Sequence, residues 1–422
     1  MRALDELEKK HSPEVARAVG AAAGGPNDRS TRSLHVLTLT PFYPSQGDEV
    51  RGCFVAESLR QLQLCGVTSS VIAVDTIYHA RKLASSGAPA QWVRYPQLPG
   101  NLGLSSAGGF LGASLLPRVR KLQRETPVDV IHAHAALPCG HAAAFLAQRL
   151  GIPFVVTVHG LDVFNSCFEQ GIAAAWRREA SLRVYRSAQQ VICISKKVQA
   201  LIADQAGSAV ASTVVYNGTD PEFFTPDITP PDFPISSLNP EQPPSILIVG
   251  NLLQGKGHEL VLRAIHRLSG QFANLQCRII GEGADRDRFA VLAESLGIGG
   301  RVHFLGRRSR AEVAAAMRGC TVFVLPSRYE GLGCVYLEAM ACAKPVVGCR
   351  GQGIDEIISH GVNGWLIPVD GMEELVDGLQ RLLADSARRR QIGEAARRTI
   401  VSTLTLSRQA RELAAIYRRA AR

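Results

Sequence analysis

No stretch of this 422-residue chain approaches the eighteen or more consecutive apolar residues that a bilayer-spanning helix needs. The opening MRALDELEKKHSPEVARAVG places four acids ahead of any apolar run long enough for a signal peptide, so the expected location is the cytoplasm. The ten cysteines are scattered, mostly inside apolar runs, and no two form a C-x2-C pair. That excludes a zinc-ribbon or disulfide framework and predicts buried, reduced thiols. Zinc-finger spacing, a recognition-helix pattern and interleaved aromatic and basic residues are all missing, so nucleic acid is not an expected partner despite a formal charge of +10. The GxxxxGK[ST] spacing of a Walker A loop is missing too.

The residues present are those of a globular protein, 46% hydrophobic and 20% charged, and the length suits two or three domains. The excess positive charge gathers in arginine clusters at Arg177 and Arg178, Arg307 to Arg310, Arg388 to Arg390, and in the final YRRAAR. Two readings stand for them. They are solvated helix faces, or they draw the protein to an anionic surface, either a polyanionic acceptor or membrane lipid met peripherally at the inner face.

Residues 1–32 thin into AAAGGPNDRS and read as a mobile arm. Over 33–225, apolar strands alternate with longer helical patterns, the alternation of an open parallel α/β sheet. The strands expected there are Leu34–Leu39, Ser70–Val74, Val128–Ile131, Phe154–Val158, Gln190–Ile194 and Thr213–Val215. Residues 226–244 hold seven prolines in nineteen positions, which no helix or central strand tolerates, and predict an interdomain linker. A second α/β unit over 245–400 has expected strands at Ile246–Val249, Gln276–Ile280, Val302–Leu305, Thr321–Leu325 and Trp365–Ile367. The last residues, 401–422, are helical and are expected to pack back on the first unit.

The densest chemistry lies in LPSRYEGLGCVYLEAMACAKPVV, from Leu325 to Val347. An apolar strand runs into a glycine-bearing loop and then a helix, with Glu330 in the loop and Glu338 on the helix. Eight helical residues rise about 12 Å, too far for the two carboxylates to work as a glycosidase pair on one bond. They are expected to hold different parts of one ligand. The free N–H groups of such a loop and the positive end of the helix dipole suit a phosphate, and a carboxylate a turn or two on suits paired ribose hydroxyls. Lys256, in the loop after Ile246–Val249, can bring a compact charge onto a diphosphate. His159 follows a strand in VTVHGLDVF with Asp162 close behind; it is either a ligand contact in the cleft or a satisfied structural histidine. His132, His134, Cys139 and His141 superficially resemble a metal cluster but read as pocket-lining or buried. Gly281 and Gly283 read as a turn, and Asp285 and Asp287 as N-terminal caps of a helix. Gly47 and Gly52 let the first loop bend close to a ligand, or simply turn the chain.

Taken in order, PFYPSQGDEVRG, HGLDVF, YNGTD, VGNLLQGKG, EGLGCVYLEAMACAKPVV and NGWLIP resemble the motif set of retaining family-4 glycosyltransferases, over roughly residues 34–400. The resemblance implies the GT-B fold: two Rossmann-like parallel-sheet domains facing across a cleft, with a C-terminal helix returning to the first. It also implies sugar transfer from a nucleotide-sugar donor to a saccharide or lipid-linked acceptor, with no cofactor and no metal. By that likeness Lys256 contacts the donor diphosphate, and Glu330, with the backbone of Gly331, Leu332 and Gly333, contacts the donor sugar. Glu338 takes the ribose, His159 the reacting centre, and Gly52 lies near the diphosphate from the opposite domain. Asn251 stands where many relatives carry arginine, so neutralisation of the diphosphate leans on Lys256, with Arg307 as a substitute cation. This departure resembles a subset of bacterial envelope and exopolysaccharide transferases. A nucleotide-sugar epimerase on the same fold and a non-catalytic sugar-nucleotide-binding subunit are the alternatives.

Overall fold

In the computed structural model of the chain, the residues described are 33–46, 48–78, 90–98, 103–160, 163, 171–227 and 243–422. The arm expected over 1–32, Gly47, Asp162 and most of the Pro-rich segment, 228–242, lie outside the described residues. Leu34–Arg422 forms one compact unit built on two sheets.

The first sheet takes β1 (Leu34–Thr40), β2 (Val67–Thr76), β3 (Ala90–Tyr95), β4 (Val130–His134), β5 (Phe154–Val158), β6 (Gln190–Cys193) and β7 (Ser212–Val214). All pair in parallel, in the order β3-β2-β1-β4-β5-β6-β7. Its helices are α1 (Cys53–Leu64), α2 (Gly103–Glu125), α3 (His141–Leu150), α4 (Ile172–Ser187) and α5 (Lys196–Ala206). The second sheet holds β8 (Ser245–Val249), β9 (Gln276–Ile280), β10 (Val302–Gly306), β11 (Val322–Val324), β12 (Val346–Cys349) and β13 (Trp365–Ile367), again all parallel, ordered β10-β9-β8-β11-β12-β13. It is wrapped by α6 (His258–Leu268), α7 (Arg286–Ser295), α8 (Arg310–Gly319), α9 (Cys334–Ala341), α10 (Met372–Ala384) and α11 (Ser386–Thr403). Central strands such as FVVTV and SILIV are buried at every residue, the composition a parallel strand covered on both faces requires.

Both strand orders reverse beside their first strand, between β1 and β4 and between β8 and β11. Loops leaving the carboxyl ends of such neighbours diverge and open a crevice, the place where open α/β sheets bind ligands. The loops after β1, β5, β8 and β11 carry the residues singled out in the sequence.

The last helix, α12 (Leu406–Ala420), returns to the first lobe. Its buried residues Leu406, Ala410, Leu413, Ala414 and Tyr417 recur at helical spacing and, from Ala410 on, join Val36, Leu62, Val130 and Val155 in one apolar cluster against the first sheet. Each large apolar side chain buried this way contributes about 1.5–3 kcal/mol. Where α11 ends and α12 begins, the YNGTD segment is stitched on: Thr219 N–H donates to Leu404 O (3.0 Å), Leu406 N–H to Thr219 O (3.0 Å), and Gly218 N–H to Gln409 Oε1 (3.0 Å). A Cβ on Gly218 would fall 2.4 Å from the Thr405 carbonyl carbon, so only glycine fits.

Several local expectations need correction. Strands β3 and β12 are absent from the sequence reading, and β2 begins at Val67, three residues before the expected Ser70. Asp285 does occupy the N-cap position of α7, but its side chain makes no cap bond; Oδ2 accepts from Gln254 N–H (2.8 Å) and so ties the loop after β8 to α7. Gly281 and Gly283 are more than a turn. A Cβ at either would lie 2.0 Å from Gly250 O or 2.2 Å from Leu252 O, because the loop after β9 crosses the loop that carries Lys256.

Candidate active site

Lys256 closes a single 3-10 turn (Gln254–Lys256) after β8 and is followed by Gly257, whose left-handed backbone (φ 78°) sits on Pro326 O. Pro326 opens the loop after β11, so the two loops are packed together. This brings Lys256 Nζ to 2.7 Å from Glu330 Oε2, with both side chains mostly buried. An ammonium has three N–H donors and Glu330 takes one of them. Gly353 N–H donates to Glu330 O (3.1 Å), and Glu330 N–H donates to Gln352 Oε1 (3.1 Å). Gly353 is required here, since its Cβ would meet Gly331 O at 1.8 Å.

Gly331, Leu332 and Gly333 lead into α9. Leu332 turns its side chain into the core, so only its backbone faces the loop's ligand side. Gly333 is left-handed (φ 78°) and starts the helix, and Tyr336 donates its hydroxyl to Leu325 O, pinning the helix start to the end of β11. On α9, Glu338 is 5% exposed, and its Oε1 accepts from Arg310 Nη1 at 2.6 Å.

From the first lobe, His159 follows β5 directly. Its ring lies between Phe42 and Phe54, with centroids 5.4 and 5.1 Å away, and its Nε2 is 3.0 Å from His134 Nδ1 at the end of β4. Two neutral imidazoles satisfy that contact with one donor and one acceptor, which leaves His159 Nδ1 for any ligand. Burial pushes the His159 pKa down to about 4, holds His134 well below the usual range, and with help from His159 takes His132 to about 3. His132 is bound on both sides, by Thr157 Oγ1 at Nε2 and by the Tyr417 hydroxyl at Nδ1, each at 2.7 Å. His159, His134 and His132 thus form a string running from the cleft to Tyr417 on α12, while His141 is half-buried and stands outside it. Among the described residues no group of three His, Cys, Asp or Glu could hold a metal ion.

The two lobes touch around these loops. A Cβ on Gly331 would approach His159 O to 2.8 Å. Lys197 Nζ donates to Gln352 Oε1 (2.7 Å), the same oxygen that receives Glu330 N–H. The Glu356 carboxylate accepts from the first amides of α5, Lys196 N–H (2.8 Å) and Lys197 N–H (2.7 Å), and from the Tyr216 hydroxyl (2.9 Å). A carboxylate at a helix N-terminus is favoured by the unpaired amides and the dipole.

Of the residues named from the sequence, Lys256, Glu330, Gly331 and His159 come together at the meeting of the lobes. Gly52 lies on the first-lobe wall with a left-handed backbone (φ 69°), and a Cβ there would fall 2.2 Å from the Phe42 carbonyl carbon, so only glycine fits. Asn251 is exposed. Arg307 bridges the lobes through Asp48 (2.7 Å) and also approaches Glu282 (3.6 Å). Arg310 departs from a solvated helix face altogether, being only 19% exposed and paired with Glu57 as well as Glu338. Arg310, Glu57, Gln352, Glu356 and Lys197 carry no local motif; the partners named here lie 22 to 253 positions away in the chain.

Two family models match the chain, Glycosyltransferase Family 4 over residues 54–223 and Glycosyl transferases group 1 over residues 231–399. An uncharacterized glycosyltransferase of Methanocaldococcus jannaschii is 28% identical over 291 residues, covering 68% of this chain and 75% of that protein. The D-inositol 3-phosphate glycosyltransferase of Mycobacterium marinum is 31% identical over 261 residues, 60% of this chain and little more than half, 56%, of that one. Among solved structures, Anabaena HepE in complex with UDP-glucose matches with a TM-score of 0.69 at 19% identity, covering 91% of this chain and 98% of that one. At that identity the likeness speaks for the fold, which is GT-B. With one family model on each lobe and glycosyltransferases among the similar proteins, the chain belongs to the family-4, group 1 glycosyltransferases.

Proposed function

We propose that the protein transfers a hexose-type sugar, with retention at the anomeric carbon, from a nucleotide diphosphate-sugar to a polysaccharide, lipid-linked or other envelope acceptor. The observation that carries this reading is the contact of Lys256 with Glu330 at the switch point of the second sheet, directly ahead of the Gly331–Gly333 turn into α9. Two Lys256 N–H donors remain for the diphosphate, and the loop amides supply more at the helix N-terminus. Glu330 takes hydroxyls of the sugar and Glu338 those of the ribose. HepE, of the same fold, is known with UDP-glucose bound, which supports a donor of this class.

Catalysis is then chiefly positioning and electrostatics. The acceptor hydroxyl attacks on the face from which the diphosphate departs, the leaving phosphate oxygen takes the acceptor proton, and Lys256 and the loop amides bear the charge that develops there. His159, half-buried and kept neutral by desolvation, offers Nδ1 to a sugar hydroxyl without adding positive charge next to an oxocarbenium-like centre.

Incubation with UDP-, GDP- and ADP-sugars and a panel of glycan and lipid-linked acceptors tests the reading. Nucleotide release that requires acceptor, with proton NMR giving the donor's anomeric configuration in the product, is expected. Interconversion of the donor sugar without acceptor points to an epimerase, and an inverted product refutes retention.

A further inference from the structure

Arg310 is the first residue of α8, and its backbone is fixed by a full capping box in which Ser309 and Glu312 exchange hydrogen bonds. Its guanidinium is held on three sides. Nη1 donates to Glu338 Oε1 on α9 at 2.6 Å, Nη2 reaches both oxygens of Glu57 on α1 at 2.8 and 2.9 Å, and the guanidinium carbon lies 4.8 Å over the Phe224 ring. The two helices belong to different lobes. Burial pulls the Arg310 pKa down, but Glu338, Cys53 and Glu57 more than reverse it, while burial raises that of Glu57.

We propose that Arg310 is a positioning residue for donor binding: it orients Glu338 through one oxygen and ties it through Glu57 to the first lobe, coupling ribose recognition to closure of the cleft. This rests on the donor reading above. With Oε1 taken by Arg310, Glu338 presents Oε2 as the acceptor for paired hydroxyls. Arg60, on the same helix as Glu57, acts on that carboxylate too, so Arg310 is not the only cation beside the pair. A planar fork is needed to serve two carboxylates on opposite sides, which a lysine cannot do in the same way.

The test is calorimetric titration of UDP, GDP and ADP, each with its 2′-deoxy counterpart, into the full chain and into Arg310→Lys, Arg310→Gln and Glu57→Gln, with thermal unfolding run on each as a folding control. Wild type is expected to prefer the ribonucleotide by roughly tenfold or more, the worth of a hydrogen bond to a charged acceptor. Both Arg310 variants lose most of that preference; Glu57→Gln keeps it but shows less compaction on nucleotide binding by small-angle X-ray scattering. A merely structural arginine would weaken ribo and deoxy ligands alike, so folded Arg310 variants with the wild-type ratio overturn the proposal. So does a Glu57 variant that compacts as wild type. If wild type binds no nucleoside diphosphate, the donor reading itself falls and takes this proposal with it.

Discussion

Acid should destabilise this protein well before its carboxylates are protonated. His132, His134 and His258 are buried and His159 is half-buried; desolvation takes His159 and His258 down to about 4 and His132 to about 3, and lowers His134 as well, which keeps all four neutral. In the unfolded chain each titrates near 6.5, so between that pH and about 4 the unfolded state binds protons that the folded state does not. Stability is then fully present above pH 6.5 and is lost as pH falls, at about 1.4 kcal/mol per pH unit for each independent group. The three first-lobe histidines touch one another and do not add simply, but His258 stands apart in the second lobe, packed on Phe289 (5.1 Å). From pH 6.5 to 4.5 its share alone is about 2 kcal/mol, a large part of the 5–15 kcal/mol that holds an ordinary domain. Urea unfolding at half-unit steps from pH 7 to 4.5, on wild type and His258→Leu, measures it. Wild type should weaken throughout, and the variant's slope should be shallower by about 1.4 kcal/mol per pH unit. Stability that is flat or rises as pH falls, or an unchanged slope in the variant, refutes the reasoning.

Gly353→Ala should abolish donor binding and lower the melting temperature, because the new methyl would lie 1.8 Å from Gly331 O and push the two loops apart; retained binding would count against the described packing. Tyr417→Phe strips His132 of the hydroxyl at Nδ1 and should cost about 1–3 kcal/mol in urea unfolding, with donor affinity unchanged. Asn251→Arg adds a second cation to the Lys256 loop and should tighten nucleotide diphosphate binding by roughly tenfold at low salt, less at high salt, as read by calorimetry.

Much of this architecture is legible in the sequence, and what is hidden has identifiable causes. Phe154–Val158 and Trp365–Ile367 stand out because strands buried on both faces are near-continuous apolar runs. Strand β3, AQWVRY, is an edge strand that alternates buried and exposed residues and includes Arg94, so it does not read as one of those runs. Strand β12 is only four residues long and follows α9 so closely that it merges with it. In the site, Lys256, Glu330 and Glu338 sit in recognisable loop-to-helix text. Their partners do not: Arg310 meets Glu57 across 253 positions of chain, and Lys197 meets Gln352 across 155, pairings that topology makes and no local spacing encodes. For the same reason Arg307 reads as a spare cation while in the fold it is committed to Asp48.

The claim on which the rest depends is that the Lys256 loop grips the diphosphate of a sugar nucleotide. Calorimetric titration of UDP-, GDP- and ADP-glucose into wild type and Lys256→Met addresses it directly. At least one donor should bind wild type, and its affinity should fall by roughly tenfold or more in the variant, the worth of a charged hydrogen bond. No binding by any of the three, or a correctly folded Lys256→Met that binds as tightly as wild type, would contradict it.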